Sequence, residues 1–257
     1  MKTGIKIALS LALLSSLSFG GEQFAMSDAD RAMYAEMAEN NPADIMVADG
    51  EELLDQYCGG DAGLATFLKV SEDALPSYIA GFPRYLPDFK QVVGLDQVLQ
   101  GLMSKNGYKP FKLKSKKMFN MDAYTKSIAN DVKINIDVNA NPQIKAAYAL
   151  GEKTYMTKRG GRGLSCNSCH SDAVVGTVLR TQPLPDLGKN GVAVAATWPG
   201  YRMTKSSLRT LQRRFQGCMK NALLKVIPIG SAEMVALEVY LTQQAKGREI
   251  AIPGLKR

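Results

Sequence analysis

Histidine is almost absent from this 257-residue chain, which has a single one, His170, beside one tryptophan and four cysteines. One histidine excludes a three-histidine zinc site, a His-Glu-x-x-His metalloprotease and any centre with two axial histidines. Four cysteines are too few for a disulfide framework that stands in for a hydrophobic core. Long apolar runs are missing as well. Beyond the N-terminus nothing approaches the ~20 apolar residues of a membrane-spanning helix, so a soluble mature protein with no membrane partner is expected. Glycine and proline, at 23 and 11, are too sparse for a fibrous or low-complexity chain. A hydrophobic content of 46% suffices for one large domain or two smaller ones.

What is present begins with a leader. MKTGIKIALSLALLSSLSFG has a positive start at Lys2 and Lys6, an apolar stretch from Ile7 to Leu17, and a small-x-small site at Ser18-Phe19-Gly20. Residues 1–20 are therefore expected to be a signal peptide and the mature protein periplasmic, where disulfides are permitted. The net charge of +8 hides two halves of opposite sign. Residues 21–104 carry 15 acids and 4 bases, whereas residues 151–257 carry 17 bases and 6 acids. The basic half suits a small anion or an acidic protein, and export leaves no role for nucleic acid.

The halves also echo one another. Gln100-Gly101-Leu102-Met103 matches Gln216-Gly217-Cys218-Met219 at an offset of 116, which also pairs Pro83 with Pro199, Tyr85 with Tyr201 and Leu95 with Leu211. Gly50-Glu51 echoes Gly151-Glu152 at an offset of 101. Periodicity predicts helices near 28–39, 48–57, 95–105, 142–158, 206–224 and 231–246, with irregular segments at 59–63, 76–87 and 176–201. Val132 to Val138 is the one clean strand-like alternation. The expected fold class is mainly α, with long irregular loops and little sheet.

The lone histidine sits in Cys166-Asn167-Ser168-Cys169-His170, a C-x-x-C-H. That spacing lets two thiols form thioethers to one haem while the adjacent imidazole lies under the iron. One haem c is expected, with Cys166 and Cys169 attaching it and His170 as proximal ligand. The distal ligand is then methionine, cysteine thiolate, lysine or nothing. Met203, Met219 and Met234 lie downstream, each more often a helix-core residue than a ligand. The other candidate is Cys218, in LRTLQRRFQGCMKN, where Arg209, Arg213 and Arg214 are read as helical and Arg214 shares a face with the cysteine at i−4. Cations there favour a thiolate and would receive a small anion. A disulfide between Cys58 and Cys218 is the competing possibility.

Across most of its length the chain resembles the A subunits of the SoxAX cytochromes of bacterial sulfur oxidation. The resemblance is carried by NPADIMVADGEELLDQYC and GFPRYLPDF in the first half, and by CNSCH, WPGYR, LQRRFQGCM and PIGSAEMVALEVYL in the second. It implies two cytochrome c-like domains related by pseudo-symmetry. Residues 21–45 would be an N-terminal helical extension, 46–140 a haem-less domain with Leu102 in place of a ligand cysteine, and 141–257 the haem domain. It further implies that Cys218 is the distal ligand and catalytic sulfur, typically a persulfide, with Arg214 beside it. The implied activity is L-cysteine S-thiosulfotransfer, which couples thiosulfate oxidatively to a cysteine of the carrier SoxYZ, in a heterodimer with the cytochrome subunit SoxX. The alternative is a methionine-ligated electron carrier. A binding module that docks a partner through its basic half is the third reading. Relatives with one haem usually have a cysteine pair in the first domain, whereas here Cys58 stands alone with Gly101 near its mate's expected position.

Overall fold

The computed structural model describes residues 28–179 and 182–256, and the expected signal peptide lies outside them. Helix α1 (Asp28–Glu39) leads into α2 (Asp44–Cys58), α3 (Gly60–Leu68) and the short α4 (Leu75–Ile79). A ribbon of β1 (Arg84–Leu86) and β2 (Gln91–Val93) then feeds α5 (Leu95–Lys105), followed by α6 (Lys116–Ser127). Helix α7 (Pro142–Met156) opens the second half. It is followed by a two-residue ribbon of β3 (Val178–Leu179) and β4 (Gln182–Pro183), then β5 (Gly200–Arg202), β6 (Ser207–Arg209), α8 (Leu211–Asn221), α9 (Ala232–Gln244) and β7 (Gly254–Lys256). Helix dominates and the sheets are small, as the sequence predicts. Among the described residues no helix is long and apolar enough to cross a membrane.

Local chemistry sets the helix ends. Gly59 adopts φ 77° at no Cβ cost and closes α2 by donating its amide N–H to the Asp55 carbonyl at 3.2 Å. Asn141, followed by Pro142, starts α7 by accepting from the Ile144 amide at 2.9 Å. Ser115 and Ser231 cap α6 and α9 by accepting from the Met118 and Met234 amides at 3.2 and 3.3 Å.

Two helix crossings form the body of the molecule, α2 on α6 and α7 on α9. Each depends on a missing side chain. A Cβ on Gly50 would strike the Asn120 carbonyl and lie against Tyr124, and a Cβ on Gly151 would strike the Ala236 carbonyl and lie against Tyr240. Because those backbones belong to packed helices, Gly151→Ala is expected to cost ~2 kcal/mol or more, despite alanine's better helix propensity. Urea unfolding checks it, with wild-type stability as the contrary result.

The succession ribbon, 3₁₀ turn, ribbon, helix over residues 84–105 recurs over 200–221 at the offset of 116, and each copy follows a cis X–Pro bond, at Pro83 and at Pro199. Helices α6 and α9 start at the same offset. Between the two copies lies a cavity of about 30 Å³ lined by Asp96, Asp122, Lys126, Trp198, Gln212 and Glu238 among others. Gln212 donates to Glu238 at 2.7 Å, and Asp96 accepts from the Gln97 amide at 2.8 Å. Burial, and then the nearby Glu238 charge, push the Asp96 carboxyl up to about 7. Asp122 is also raised, by burial and by Asp96 and Glu238, while burial lowers Lys126 to about 8. A carboxyl raised in the folded state keeps its proton there, so stability falls as pH rises from about 4 towards 7 and is not regained above it. Asp96→Asn cannot ionise and still offers an oxygen to Gln97. It is expected to melt like wild type near pH 4 and to gain on the order of 2 kcal/mol at pH 8, read from thermal melts at both values.

Three sequence expectations change. Val132 to Val138 is not a strand of any sheet. Ile134 and Ile136 are buried and their neighbours exposed, which produces the alternation. The segment instead makes scattered backbone bonds, such as the Ile134 amide to the Arg248 carbonyl at 2.9 Å. The helix expected from Ser206 is a strand up to Arg209 and starts only at Leu211, after the Thr210 cap. Arg209 therefore precedes the helix, and its guanidinium lies over the Phe119 ring of α6 at 5.3 Å. Residues 76–87, read as irregular, contain most of α4 and all of β1.

Candidate functional site

The C-x-x-C-H segment is a chain of turns held from several sides. Ser165 and Ser168 cap one another: each backbone amide donates to the other's hydroxyl, at 3.0 and 3.2 Å. The Cys169 amide donates to the Cys166 carbonyl at 3.1 Å, closing the turn that separates the two thiols. Beneath it, fully buried Tyr155 of α7 donates its hydroxyl to the His170 carbonyl, and its own carbonyl accepts from the Asn167 amide. Arg159 pairs with Glu233 of α9 at 2.7 Å, tying the approach to this turn onto the second crossing.

His170 is oriented by its ring. Its Nδ1 lies 3.0 Å from the Pro185 carbonyl, which can only accept, so Nδ1 carries the proton and Nε2 is left with a free lone pair. Burial lowers the imidazole pKa and Arg214 adds to this, which keeps the ring neutral. A neutral imidazole with its far nitrogen anchored to a carbonyl is a metal ligand ready for use.

Helix α8 supplies the opposing face. Leu211, Gln212, Phe215, Gln216 and Met219 are buried, with Gln216 donating to the Ile227 carbonyl at 2.7 Å. The 3.6-residue repeat then places Arg214, Gly217 and Cys218 together on another face. Cys218 is half-buried, and its charge acts on Cys166 and Arg202, so α8 and the C-x-x-C-H turn share one neighbourhood. Burial, and then Cys218, push the Cys166 thiol up to about 11. The predicted residues Cys166, Cys169, His170, Arg214 and Cys218 thus converge. Arg202 and Lys256, which the sequence reading did not single out, join Arg214 as further cations there.

The competing assignments fare differently. Cys58 and Cys218 are both free thiols, so the disulfide that would occupy Cys218 is not formed. Cys58 is a core residue at the end of α2, and burial pushes its thiol up to about 12. Space beside Gly101 is filled by the Phe89 and Phe67 rings. Met234 is fully buried in α9, and the Met219 sulfur accepts from the Ile227 amide at 3.5 Å, so both act as core. Met203 is half-buried in the turn before β6.

The donor set fits haem c. Two thiols flank one turn, followed by an imidazole with Nε2 free, and a Cβ on Gly217 would meet nothing within 4 Å. At the corresponding place in the first half a Cβ on Gly101 would run into the Phe89 ring, and Leu102, buried, occupies the position of Cys218. The second half leaves a space open that the first half fills with aromatic rings.

Residues 150–250 match the family model described as SoxA/TsdA, cytochrome c domain. Over 100% of both chains the sequence is 29% identical to the L-cysteine S-thiosulfotransferase subunit SoxA of Hydrogenophilus thermoluteolus. Residues 150–250 thus carry a cytochrome c domain of the SoxA/TsdA kind, and the whole chain is similar to SoxA subunits. A second SoxA, from Chlorobaculum thiosulfatiphilum, is 26% identical over 93% of this chain and 80% of its own. Among solved structures, SoxXA from P. pantotrophus superposes with a TM-score of 0.73 at 19% identity, covering 88% of this chain and 84% of the other. That likeness supports the mainly helical fold described above. As a cytochrome c domain, the matched part of the second half carries covalently bound haem c.

Proposed function

We propose that this chain is the catalytic SoxA-type subunit of an L-cysteine S-thiosulfotransferase, exported to the periplasm, with Cys218 as its reactive sulfur. The observation that supports it is that Cys218 and Arg214, one turn apart on α8, lie close enough to act electrostatically on Cys166 and His170 of the C-x-x-C-H turn. The relatives in two bacteria bear that enzyme's name. The chain is read as two cytochrome c-like domains related by pseudo-symmetry, at 46–140 and 141–257, after an extension at 21–45. The recurrence of ribbon and helix at 116 residues supports this reading, as do Gly50 and Gly151 at equivalent helix crossings. The filled space beside Gly101 supports a haem-less first domain.

Cys166 and Cys169 would attach haem c, and His170 Nε2 and the Cys218 sulfur would be the groups that hold its iron. Bound there, haem c supplies a one-electron redox centre. The chain's own groups do the rest. Arg214, one turn before Cys218, holds anionic substrate at the sulfur and offsets the charge of a thiolate or persulfide. Overall, thiosulfate and a carrier thiol lose two electrons and one proton, and one S–S bond forms between them, leaving a carrier cysteine S-thiosulfonate. The carrier is of the SoxYZ kind and the electrons pass to a SoxX-type cytochrome subunit, a partnership supported by the SoxXA structure that shares this fold. The test is conjugation itself. Holoprotein combined with the partner cytochrome and a carrier bearing one free cysteine is expected to add thiosulfate to that cysteine, read by intact mass. Haem reduction without any adduct would leave only an electron carrier.

A further inference from the structure

The C-terminal strand brings a second, deeply set cation to the site. Strand β7 pairs in parallel with β5 and places Lys256 directly beside Arg202, so the two side chains leave the same face of the sheet ~4.8 Å apart. Like charges side by side on a sheet are unfavourable. Lys256 is also buried, with 5% of its surface exposed, and a buried charge needs a counter-charge. It has none among the described residues, whose ion pairs are Lys69 with Asp88 and Arg159 with Glu233. Its ammonium donates to the Thr197 hydroxyl at 2.6 Å and lies 5.7 Å from the centre of the Trp198 ring, and among the described residues its other two donors have no hydrogen-bond acceptor. Burial, followed by the charges of Arg214 and Arg202, lowers Lys256 to about 7. Arg202 in turn is lowered to about 10 by burial and Arg214, and is within range of Cys218.

We propose that Lys256, Arg202 and Arg214 form a receptor for a doubly charged sulfur oxyanion, with Lys256 as its innermost contact. Two negative charges relieve the repulsion among three cations, and the free donors of Lys256 meet the oxyanion oxygens while the outer sulfur is left towards Cys218. The proposal rests on the thiosulfotransferase reading for the identity of the anion. Its geometry is independent of turnover.

The test separates binding from catalysis. Holoprotein carrying Cys218→Ala is melted in thiosulfate, in sulfate, and in chloride at equal ionic strength. The dianions are expected to raise Tm by about 3 °C over chloride. Adding Lys256→Met is expected to remove that rise, and Lys256→Arg to restore most of it. Arg202→Met gives a second route to the same loss if Lys256→Met folds poorly. With Cys218 intact, Lys256→Met is expected to raise the thiosulfate KM about tenfold, with a smaller effect on kcat. A full dianion-dependent rise in both Lys256→Met and Arg202→Met, or an unchanged KM in Lys256→Met, overturns the receptor while leaving the thiosulfotransferase reading intact. Wild-type holoprotein that conjugates nothing, while the dianion-dependent rise through Lys256 persists, overturns that reading and supports the receptor.

Discussion

Cys218→Ala is expected to lower thiosulfate conjugation by at least about a thousandfold while leaving haem attached, because it removes the only sulfur on the α8 face and none of the attachment residues. The side chain is half-buried and is not part of the α8 core made by Leu211, Phe215 and Met219, so the fold should survive. Activity and spectrum should change together, since the same sulfur is assigned to the reaction and to the distal side of the iron. Arg214→Lys is a useful companion, because it keeps the charge but loses the planar fork that grips an oxyanion. Conjugation assays by mass and the absorption spectrum of the same preparation check both variants. Full activity in Cys218→Ala would remove Cys218 from the mechanism.

The second large effect concerns attachment. Changing both Cys166 and Cys169 to serine is expected to abolish covalent haem and, with it, activity. The damage should be confined to the second half. Its open space beside Gly217 has no aromatic filler of the kind that Phe67 and Phe89 provide in the first half, so loss of haem leaves a void where packing is needed. Hydrogen exchange should therefore rise in α8 and the 159–187 segment while protection of the α2–α6 crossing persists. Haem staining after denaturing electrophoresis and exchange mass spectrometry read the two effects separately. Uniform loss of protection across both crossings would show that the halves do not hold their cores independently.

The site was legible in the sequence wherever its chemistry is local. C-x-x-C-H is a single turn, and Arg214 to Cys218 is one helical step, so spacing alone placed those residues together. The echo was legible because both copies keep the same residues at their turns, at an offset of 116, and at their crossing glycines, at an offset of 101: Gly50 and Gly151 each sit where a second helix backbone leaves no room for a Cβ. Arg202 and Lys256 were not legible. Their proximity depends on a parallel strand pair separated by more than fifty residues, and nothing in either segment announces it. The strand expected at 132–138 failed for a related reason. Alternating burial produces alternating polarity whether or not a regular ladder forms, and Ile134 and Ile136 face a core without one. Arg209 was placed on the helix because the basic run is continuous in sequence. The Thr210 cap, accepting from the Arg213 amide at 3.3 Å, is where the helix begins. Cys58, whose part in the chemistry was open, is a core thiol with a pKa of about 12, and such a group has little thiolate to offer near neutral pH.

All of this converges on the sixth position at the iron. Electron paramagnetic resonance of the oxidised holoprotein, recorded alongside Cys218→Ala, addresses it most directly. The expected result is a low-spin signal of histidine–thiolate type in the parent that is lost in the variant. A histidine–methionine signal, unchanged by the substitution, would contradict a sulfur centre at Cys218 and return the chain to a plain electron carrier.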